Sequence, residues 1–385
     1  MSYQDSWSKS EVSDIIRQLR GMAVDSLARM YCPDRQLFAF TLRKRGRREV
    51  PEGVSRRYTA IVLIALAIED PQIAAEVLGG HSPEDVCTHL LEELDDMKDL
   101  GEVALTTWAA GALGHSKASA ALQALRRREP ARRSYPTVEL SWALTAMVTG
   151  GGDTADMDQA LPTARALLAR FNERSGIFSH QFAAGKERGL RAHVSCFADF
   201  VYPIQSLSYY YVAMKDTRAI DVAARCAERM CELQGPDGQW WWHFDVRTGR
   251  VVERYPVYAV HQEAMAPMAL FALAEAGGPD HSASVEKGLR WLVNPPESAG
   301  SLIDTERNVI WRKVARREPR RLVRGLQAAA SRVHPRLRLP AVDTLFPPVA
   351  IDRESRPYEM GWLLHAWPAG ELSTTALSAA DHVRS

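Results

Sequence analysis

Cysteine, long apolar runs and net charge are all scarce in this sequence of 385 residues. The five cysteines are an odd number and form no C-x2-C pair, which indicates reduced thiols and excludes a disulfide framework or a paired-cysteine zinc site. Lys+Arg 48 against Asp+Glu 47 gives a net charge of +1, so we expect no nucleic-acid partner. The longest apolar run, residues 60–68, is about half of a bilayer span, and the N-terminus is polar. These features predict a cytoplasmic protein.

Alternation of apolar and polar residues, the signature of half-buried strands, is also rare. Helical periodicity recurs almost from end to end, which predicts an all-α fold. Turn residues and charge clusters divide the chain into twelve predicted helices, near 10–31, 56–70, 72–97, 100–114, 116–128, 137–149, 155–172, 198–213, 216–234, 256–275, 280–293 and 357–368.

The predicted helices alternate in character along the chain. Every second helix, beginning with 56–70, is apolar almost all round, whereas the helices between them carry a charged face. A helix that is apolar on all sides must be buried, and an amphipathic helix faces solvent. The pattern predicts an (α/α)6 toroid, with an inner ring of six helices inside an outer ring, as a single domain over residues 1–385.

A local repeat accompanies this pattern. Residues 234–240 (QGPDGQW) have the form Q-x3-G-x-W, and residues 172–178 (NERSGIF), about sixty residues earlier, are similar, with the glycine and the aromatic residue at the same spacing. Glycine suits the turn and the aromatic residue suits the gap between neighbouring helical hairpins. The element resembles the QW motif of the terpenoid cyclase and protein prenyltransferase toroids. The twelve-helix count is similar to theirs and to that of the (α/α)6 glycosidases.

Unequal connections indicate the functional rim. The outer-to-inner links 32–56, 129–136, 173–197, 235–255 and 294–356 are long, while the inner-to-outer links are minimal turns. Function is concentrated on long loops held by a rigid scaffold. Candidate substrate-binding residues on this rim are Arg56, Arg57, Tyr58, His180, Tyr202, Trp241, Trp242, Tyr258, Gln262, Arg356, Tyr358 and Trp362. Candidate catalytic residues are Asp96, Glu139, Asp199, His243 and His261. The alternative for each polar residue is capping of a helix end.

One acidic segment suggests a metal site. Asp95, Asp96 and Asp99 form D-D-x-x-D, which resembles the metal-binding motif of class I terpene synthases and prenyl diphosphate synthases. On a helix, this spacing puts at least two carboxylates on one face, which suits Mg2+ bound to a diphosphate. Alternatively, Asp99 caps the helix that begins at residue 100.

The class II terpene cyclases instead use a D-x-D-D motif, whose middle aspartate is the general acid. Aligned on Asp96 and Asp99, this sequence has Lys98 at that position. Another acid on the rim must then serve, and Asp199, among Phe197, Phe200 and Tyr202, is the best candidate. An acid in apolar, aromatic surroundings retains its proton more strongly.

The segment Trp240-Trp241-Trp242-His243 is the most specific local signal. Three consecutive tryptophans cannot share one buried face, so we expect at least one ring to line the cavity, where it can stack on a sugar or stabilise a carbocation. Repeat packing explains Trp240. In the next helix, His261 and Gln262 would be costly to bury without partners, which favours a functional role. His243 and His261 are a candidate acid/base pair, with His180 as a third member.

The insertion 294–356 is strongly basic around residues 311–324. It can form a lid over the cavity mouth, a helix on an anionic membrane surface, or a solvated basic helix. With Arg56 and Arg57 it makes the entrance positive, which favours an anionic substrate such as a diphosphate or a uronate.

The leading functional interpretation is a terpene-cyclase-like enzyme, a lyase or isomerase acting on an isoprenyl diphosphate with Mg2+. The first alternative is a carbohydrate-active (α/α)6 hydrolase, lyase or epimerase acting on an anionic sugar. The second alternative is a toroid that binds a lipid or peptide without catalysis. The resemblance concerns architecture and leaves the chemistry open.

Overall fold

The computed structural model describes residues 7–150, 154–181, 191–298, 300–318, 322–334, 337, 339 and 341–369. Parts of the predicted single domain, residues 1–6 and 370–385, lie outside these ranges, as do residues 319–321 of the basic segment. Within the described residues the α-helices are α1 Lys9–Met30, α2 Arg56–Leu66, α3 Pro71–Val77, α4 Pro83–Glu92, α5 Leu100–Ala112, α6 Ala118–Arg127, α7 Thr137–Thr149, α8 Thr154–Leu168, α9 Ala198–Met214, α10 Thr217–Glu232, α11 Ala266–Glu275, α12 Ser282–Val293, α13 Leu322–Val333, α14 Ala341–Leu345 and α15 Pro357–Ala366.

Burial separates two classes of helix, as the sequence predicts. Every residue from Thr59 to Leu66 of α2 and from Leu140 to Met147 of α7 is buried. In α10, by contrast, the buried residues recur at helical spacing, such as Ala219, Val222 and Ala223. A helix covered on all sides belongs in an inner layer, and a helix with one apolar stripe belongs outside it.

The buried helices close into a ring. Contacts run from α2 to α5, α7, α9 and α11, and then through α15 back to α2. The outer helices α6, α8, α10 and α12 each contact the inner helices beside them, and α1 packs on α15. The predicted (α/α)6 toroid is therefore confirmed.

Two predicted helices differ from the observed ones. The helix expected over 72–97 is divided into α3 and α4, because Gly79 and Gly80 have φ angles of 58° and 91°, and Ser82 then caps α4. Positive φ ends a right-handed helix. The helix expected to begin at residue 256 begins instead at residue 259 and passes through the π-helical turn His261–Met265 into α11.

Short strands join the long links at one rim. The described strands are β1 Tyr31–Cys32, β2 Leu37–Phe38, β3 Thr41–Arg45, β4 Arg48–Glu52, β5 Phe171–Asn172, β6 Ile177–Phe178, β7 Val194–Cys196, β8 His243–Asp245, β9 Arg250–Glu253, β10 Val257–Tyr258, β11 Ile303–Asp304, β12 Val309–Ile310, β13 Lys313–Ala315, β14 Ala350–Asp352 and β15 Glu354–Ser355. Antiparallel sheets β15-β3-β4, β7-β8-β9 and β10-β13-β14 each connect different outer-to-inner links. These long outer-to-inner links thus form one connected surface.

Residues 234–240 fasten one hairpin to the next. Gly238 has a φ of 106°, and the Gln234 side chain donates hydrogen bonds to the Gly238 carbonyl (3.0 Å) and to the Ser284 carbonyl at the start of α12 (2.9 Å). Trp240 is 1% exposed, and its ring lies 5.7 Å from that of Phe197. The glycine makes the turn, and the tryptophan fills the space between hairpins, as expected from the sequence.

Gly238→Ala tests this fastening. A Cβ atom at position 238 would meet the Lys287 carbonyl oxygen, and its φ disfavours any L side chain. We expect the free energy of unfolding to fall by roughly 2–4 kcal/mol in urea denaturation. Gly325→Ala is the matched control, since it lies in α13 with no atom within 4 Å of its Cβ position, and it should raise stability by up to about 1 kcal/mol. Equal effects of the two changes would contradict this account.

Candidate active site

The first turns of the inner helices bring predicted residues together at a surface that we call the lip. It comprises Arg57, Tyr58, Asp99, Glu139, Asp199, Arg356 and Tyr358. Arg57 of α2 pairs with Asp99 and lies 3.6 Å from a carboxylate oxygen of Glu139. On the other side of α2, the Tyr58 hydroxyl accepts a hydrogen bond of 3.0 Å from Arg356. These contacts therefore link the first turns of α2, α5 and α7 with α15, the last helix described.

Glu139 occupies the acidic side of the lip. Its carboxyl group is 14% exposed, and the Arg57 guanidinium lies 5.3 Å from the centre of the Trp142 ring beside it. Burial raises the pKa of Glu139 and the charge of Asp99 adds to this increase, while Arg57 opposes it. A glutamic acid that holds its proton at higher pH is suited to donate that proton to a substrate.

Asp199 organises the next part of the lip. It is 0% exposed, and one of its carboxylate oxygens accepts the Cys196 backbone N–H at 2.8 Å and lies 3.1 Å from His180 Nδ1. His180 itself is half exposed. The contact with Asp199 thus holds the imidazole through its Nδ1 atom. The role of Asp199 as a proton donor stays a prediction, because here its oxygens act as acceptors.

Aromatic rings form the floor between these groups. The Tyr202 ring lies 5.0 Å from Trp142 and 6.1 Å from Trp362, and all three residues are buried. Tyr358 packs 4.8 Å from Tyr58 above this floor. Because these rings are buried and Trp362 is fully covered, contact of Tyr202 and Trp362 with a substrate stays a prediction.

A cleft of about 430 Å³ opens beside the lip. Trp242, Tyr255 and Tyr258 contribute aromatic faces. Five cationic side chains line the same space, namely Arg312, Lys313, Arg316, Arg324 and Arg356. Two carboxylates, Glu318 and Asp352, also line it.

The cations in this cleft lie directly on the rings. Arg312 and Lys313 are 5.1 and 5.3 Å from the centre of the Tyr258 ring, and Arg324 is 5.3 Å from that of Trp242. Stacked aromatic and cationic groups hold each other in fixed orientations. Arg312, Lys313, Arg316 and Arg356 are each also paired with at least one carboxylate, so the cleft combines aromatic rings with cations held in fixed positions.

Four of these cations, Arg324 of α13 and three others, are not among the site residues predicted from the sequence. Arg312, Lys313 and Arg316 lie in or beside β13, within the basic segment interpreted as a lid or membrane contact. The available signal was the acidic spacing of Glu354 and Glu359, which bind Arg312 at 2.5 and 3.0 Å. Carboxylates that precede and enter a buried helix require a buried cation nearby.

His261 and Gln262 lie below the lip and have packing partners. The His261 ring is 4.3 Å from Phe197 and 4.9 Å from Tyr258, and burial lowers its pKa to about 3. The Gln262 amide donates to the Tyr258 carbonyl (3.1 Å) and accepts the Trp240 N–H (3.4 Å). Gln262 therefore has hydrogen-bond partners, whereas His261 Nδ1 is buried without one among the described residues. The functional role of both residues stays a prediction.

His243 supports the wall of the cleft. Its ring stacks on Trp242 at 4.1 Å, and its Nε2 atom faces Arg191 at 3.1 Å. Burial, followed by the charges of Arg191 and Arg324, lowers the pKa of His243 well below its ordinary value. The candidate pair of His243 and His261 therefore consists of two neutral rings packed on different aromatic neighbours, and its catalytic role stays a prediction.

Several predicted residues point away from the lip. Arg56 pairs with Glu93 in an outer groove, and the Trp241 ring packs on Tyr255 at 5.8 Å with Arg254 over its face. Trp242, and not Trp241, is the tryptophan that lines the cleft. The side chain at the second position of the triplet faces the opposite direction because the chain is extended there.

The three aspartates of the D-D-x-x-D segment do not share a helical face. Helix α4 ends at Glu92, so Asp95 and Asp96 lie in an exposed turn, and Asp95 binds Arg127 at 2.6 Å. Asp99 instead caps α5 by accepting the Glu102 N–H at 2.9 Å. The predicted helical geometry is wrong, and Mg2+ at these residues stays a prediction that no described contact supports.

The insertion lies over the mouth on the side of the β7-β8-β9 sheet. Ala328 of α13 packs with Val194 and Val252, and Ser331 is 2.9 Å from His193. Leu326 and other residues on the opposite face of α13 are exposed. Arg324 of the same helix lines the cleft, and the lid and the membrane-surface contact both stay predictions. None of the described helices is sufficiently long and apolar to traverse a bilayer.

No protein-family model and no curated protein matches the chain. Several solved structures, by contrast, are similar to this chain. An unsaturated glucuronyl hydrolase specific for heparin is 11% identical, with a TM-score of 0.60, covering 93% of this chain and 96% of that one. An aspartate-to-asparagine variant of the hydrolase from Streptococcus agalactiae, complexed with dGlcA-GalNAc6S, is 12% identical, with a TM-score of 0.56 and coverage of 94% and 92%.

Cellobiose 2-epimerase from Bacillus thermoamylovorans B4167 is also similar, at 12% identity, with a TM-score of 0.56 and coverage of 79% and 92%. At these identities the likeness establishes the toroid fold. The neighbours are carbohydrate-active proteins and not terpenoid cyclases, so the leading interpretation, an isoprenoid lyase or isomerase of the cyclase type, is wrong. The carbohydrate alternative fits these findings better.

Beneath the lip, Glu263 is a buried acid with an unusual environment. It is 0% exposed in the π-helical turn, and neither carboxylate oxygen has a hydrogen-bond partner among the described residues. Burial, with a further contribution from the charge of Glu359, raises the pKa of Glu263 well above 4.5. Between pH 4.5 and its raised pKa, Glu263 is therefore protonated in the folded protein and ionised in the unfolded chain.

Glu263→Gln should relieve a pH-dependent cost. Above pH 4.5 the wild-type protein loses about 1.4 kcal/mol of stability per pH unit through this group, and glutamine does not titrate. We expect the variant to be more stable by up to roughly 3 kcal/mol at pH 7 and equal to wild type near pH 4, in urea denaturation at both pH values. Exposed Glu306→Gln should change neither value. A gain that is independent of pH would contradict the buried-proton account.

Proposed function

We propose that this protein is a carbohydrate-active enzyme that cleaves an oligosaccharide bearing a terminal uronic acid. The observation that carries the proposal is the cleft, in which Arg312 and Lys313 lie over the Tyr258 ring, Arg324 lies over the Trp242 ring, and Arg356 lines the same space. A sugar presents a flat apolar face to an aromatic ring, and a carboxylate needs fixed cations. The fold shared with glucuronyl hydrolases and an epimerase supports the proposal by analogy.

Arg356 is the cation best placed to meet a substrate carboxylate. Its guanidinium is held by Glu354 at 3.0 Å and by the Tyr58 hydroxyl at 3.0 Å, and it lies 4.5 Å from the centre of the Phe40 ring. These contacts fix its direction at the border between cleft and lip. A preoriented guanidinium loses little entropy on binding an anion.

Glu139 would supply the proton for bond cleavage from the other side of the lip. Its raised pKa keeps the acid form populated at higher pH, and Asp99, held by Arg57, places a second carboxylate beside it. One protonated and one charged carboxyl group is the usual division of roles in enzymes that cleave glycosidic bonds. A substrate bound by its carboxylate at Arg356 would present its linkage to this pair.

The first test concerns the proton donor. With an unsaturated glucuronyl disaccharide, loss of the double-bond absorbance reports turnover. We expect Glu139→Gln to lower kcat by roughly 10²- to 10⁴-fold with little change in KM, because the amide cannot donate a proton in the same way. Glu102→Gln, at the first turn of the adjacent helix, should retain activity. Full activity of Glu139→Gln would rule out this role.

The second test concerns recognition of the anion. Arg356→Ala should raise KM for the uronyl substrate by roughly 10- to 100-fold, as expected for loss of a charged hydrogen bond, with a smaller effect on kcat. Arg45→Ala, on an exposed hairpin nearby, is the matched control. Turnover of a neutral disaccharide such as cellobiose, unaffected by Arg356→Ala and without turnover of the uronyl substrate, would overturn the proposed substrate class.

A further inference from the structure

One cluster of metal-ligating side chains lies outside the residues assigned to the proposed reaction. His180, Cys196 and Asp199 each offer one ligand atom, and these atoms all lie within 4.8 Å of one another. We propose that they bind a borderline transition-metal ion, of which Zn2+ is the representative, with one coordination position open to the cavity. This site is independent of the substrate assigned above.

The separations suit a tetrahedral ion. Bonds of about 2.0 Å to nitrogen and oxygen and about 2.3 Å to sulfur place tetrahedral ligand atoms roughly 3.5 Å apart. His180 Nδ1 and the nearer Asp199 oxygen are 3.1 Å apart, and the whole set lies within 4.8 Å. Small rotations of the side chains therefore suffice to bring all three onto one ion.

The ligand types select the class of metal. A thiolate, an imidazole nitrogen and a single carboxylate suit Zn2+, Co2+ or Cu2+, whereas Mg2+ and Ca2+ require oxygen ligands. The site therefore differs in kind from the Mg2+ expected at Asp95, Asp96 and Asp99. Its sequence pattern, a C-x2-D pair with a distant histidine, also differs from paired-cysteine zinc motifs.

The backbone around the ligands is held on three sides. Cys196 pairs with His243 between strands β7 and β8, and the Phe197 N–H donates to the Trp242 carbonyl at 3.0 Å. Asp199 is fixed in the first turn of buried α9, and the His180 carbonyl accepts the Thr137 N–H at 2.8 Å. Ligands on a sheet, a buried helix and a hydrogen-bonded link reorganise little on binding.

Charge and access define what the ion can do there. The Asp199 carboxylate and a Cys196 thiolate together offset a divalent charge, while the charges of Arg170 and Arg191 in the same region reduce its affinity for cations, and His243 there is neutral. Three protein ligands with a half-exposed His180 leave a fourth position for water or a substrate oxygen. Binding displaces the thiol proton, so affinity should increase with pH.

The experiment uses the full chain, freed of metal with a chelator and titrated with Co2+ and then Zn2+. We expect one Co2+ per chain, a thiolate-to-cobalt charge-transfer band in the near ultraviolet, and displacement of that band by Zn2+. Cys196→Ser should remove the band, and His180→Ala should weaken Co2+ binding at least tenfold while circular dichroism stays that of wild type. Cys231→Ser, a half-buried thiol on α10, should change neither result.

Two results would overturn the site. One is the absence of a thiolate band in the wild-type protein at saturating Co2+. The other is Co2+ binding that is unchanged in both Cys196→Ser and His180→Ala, which would place the ion elsewhere. Because the readout is binding and not turnover, failure here leaves the uronyl assay unaffected, and failure of that assay leaves the titration unaffected.

Discussion

The buried ion network around Arg312 is the interaction on which the lip depends. Its side chain binds Glu354 and Glu359, and its backbone N–H donates to the Glu354 carbonyl at 2.9 Å. Burial by itself would lower the pKa of Arg312, but Tyr358, Glu359 and the other acidic groups around it raise the value. Breaking one partner of such a pair leaves an uncompensated buried charge, which typically costs about 3–5 kcal/mol.

This network determines where the cleft is. Arg312 connects the start of β13 to the first turn of α15, the helix that closes the ring against α2. Its guanidinium also covers the face of Tyr258. The same charge that closes the toroid therefore forms the floor of the positive cleft. Loss of Arg312 would therefore affect both the closure of the ring and the shape of the cleft.

The ring could be predicted from the sequence because its cause is local. Residues 59–66 and 140–147 are apolar on almost every side, so each segment can be recognised as an inner helix from its own sequence. The turn at Gly238 is equally local. Helical periodicity predicts one helix over 72–97, but Gly79 and Gly80 interrupt it with positive φ angles.

The site was less predictable because its determinants are far apart in the chain. Arg312 finds partners more than forty residues later, and its sequence neighbourhood resembles any solvated basic segment. The sequence favours a functional role for Gln262 because one of its partners, the Trp240 N–H, lies more than twenty residues earlier in the chain. The spacing of Asp95, Asp96 and Asp99 predicts a shared helical face, yet α4 ends at Glu92, before all three, and Asp99 is the N-cap of α5. Spacing predicts geometry only when the element that carries it is continuous.

Aromatic groups alone could not decide between an isoprenoid and a sugar, since a ring face accommodates both a carbocation and a pyranose. What separates the two is the distribution of charge around the rings. A diphosphate site of the expected kind needs carboxylates grouped to hold Mg2+, and Asp95 is instead exposed and paired with Arg127. The cleft places cations on the ring faces themselves, at Tyr258 and Trp242, where they would compete with a carbocation and not stabilise it. The same placement favours a ligand whose flat face and negative charge lie within one sugar unit, which is the chemistry of a uronic acid.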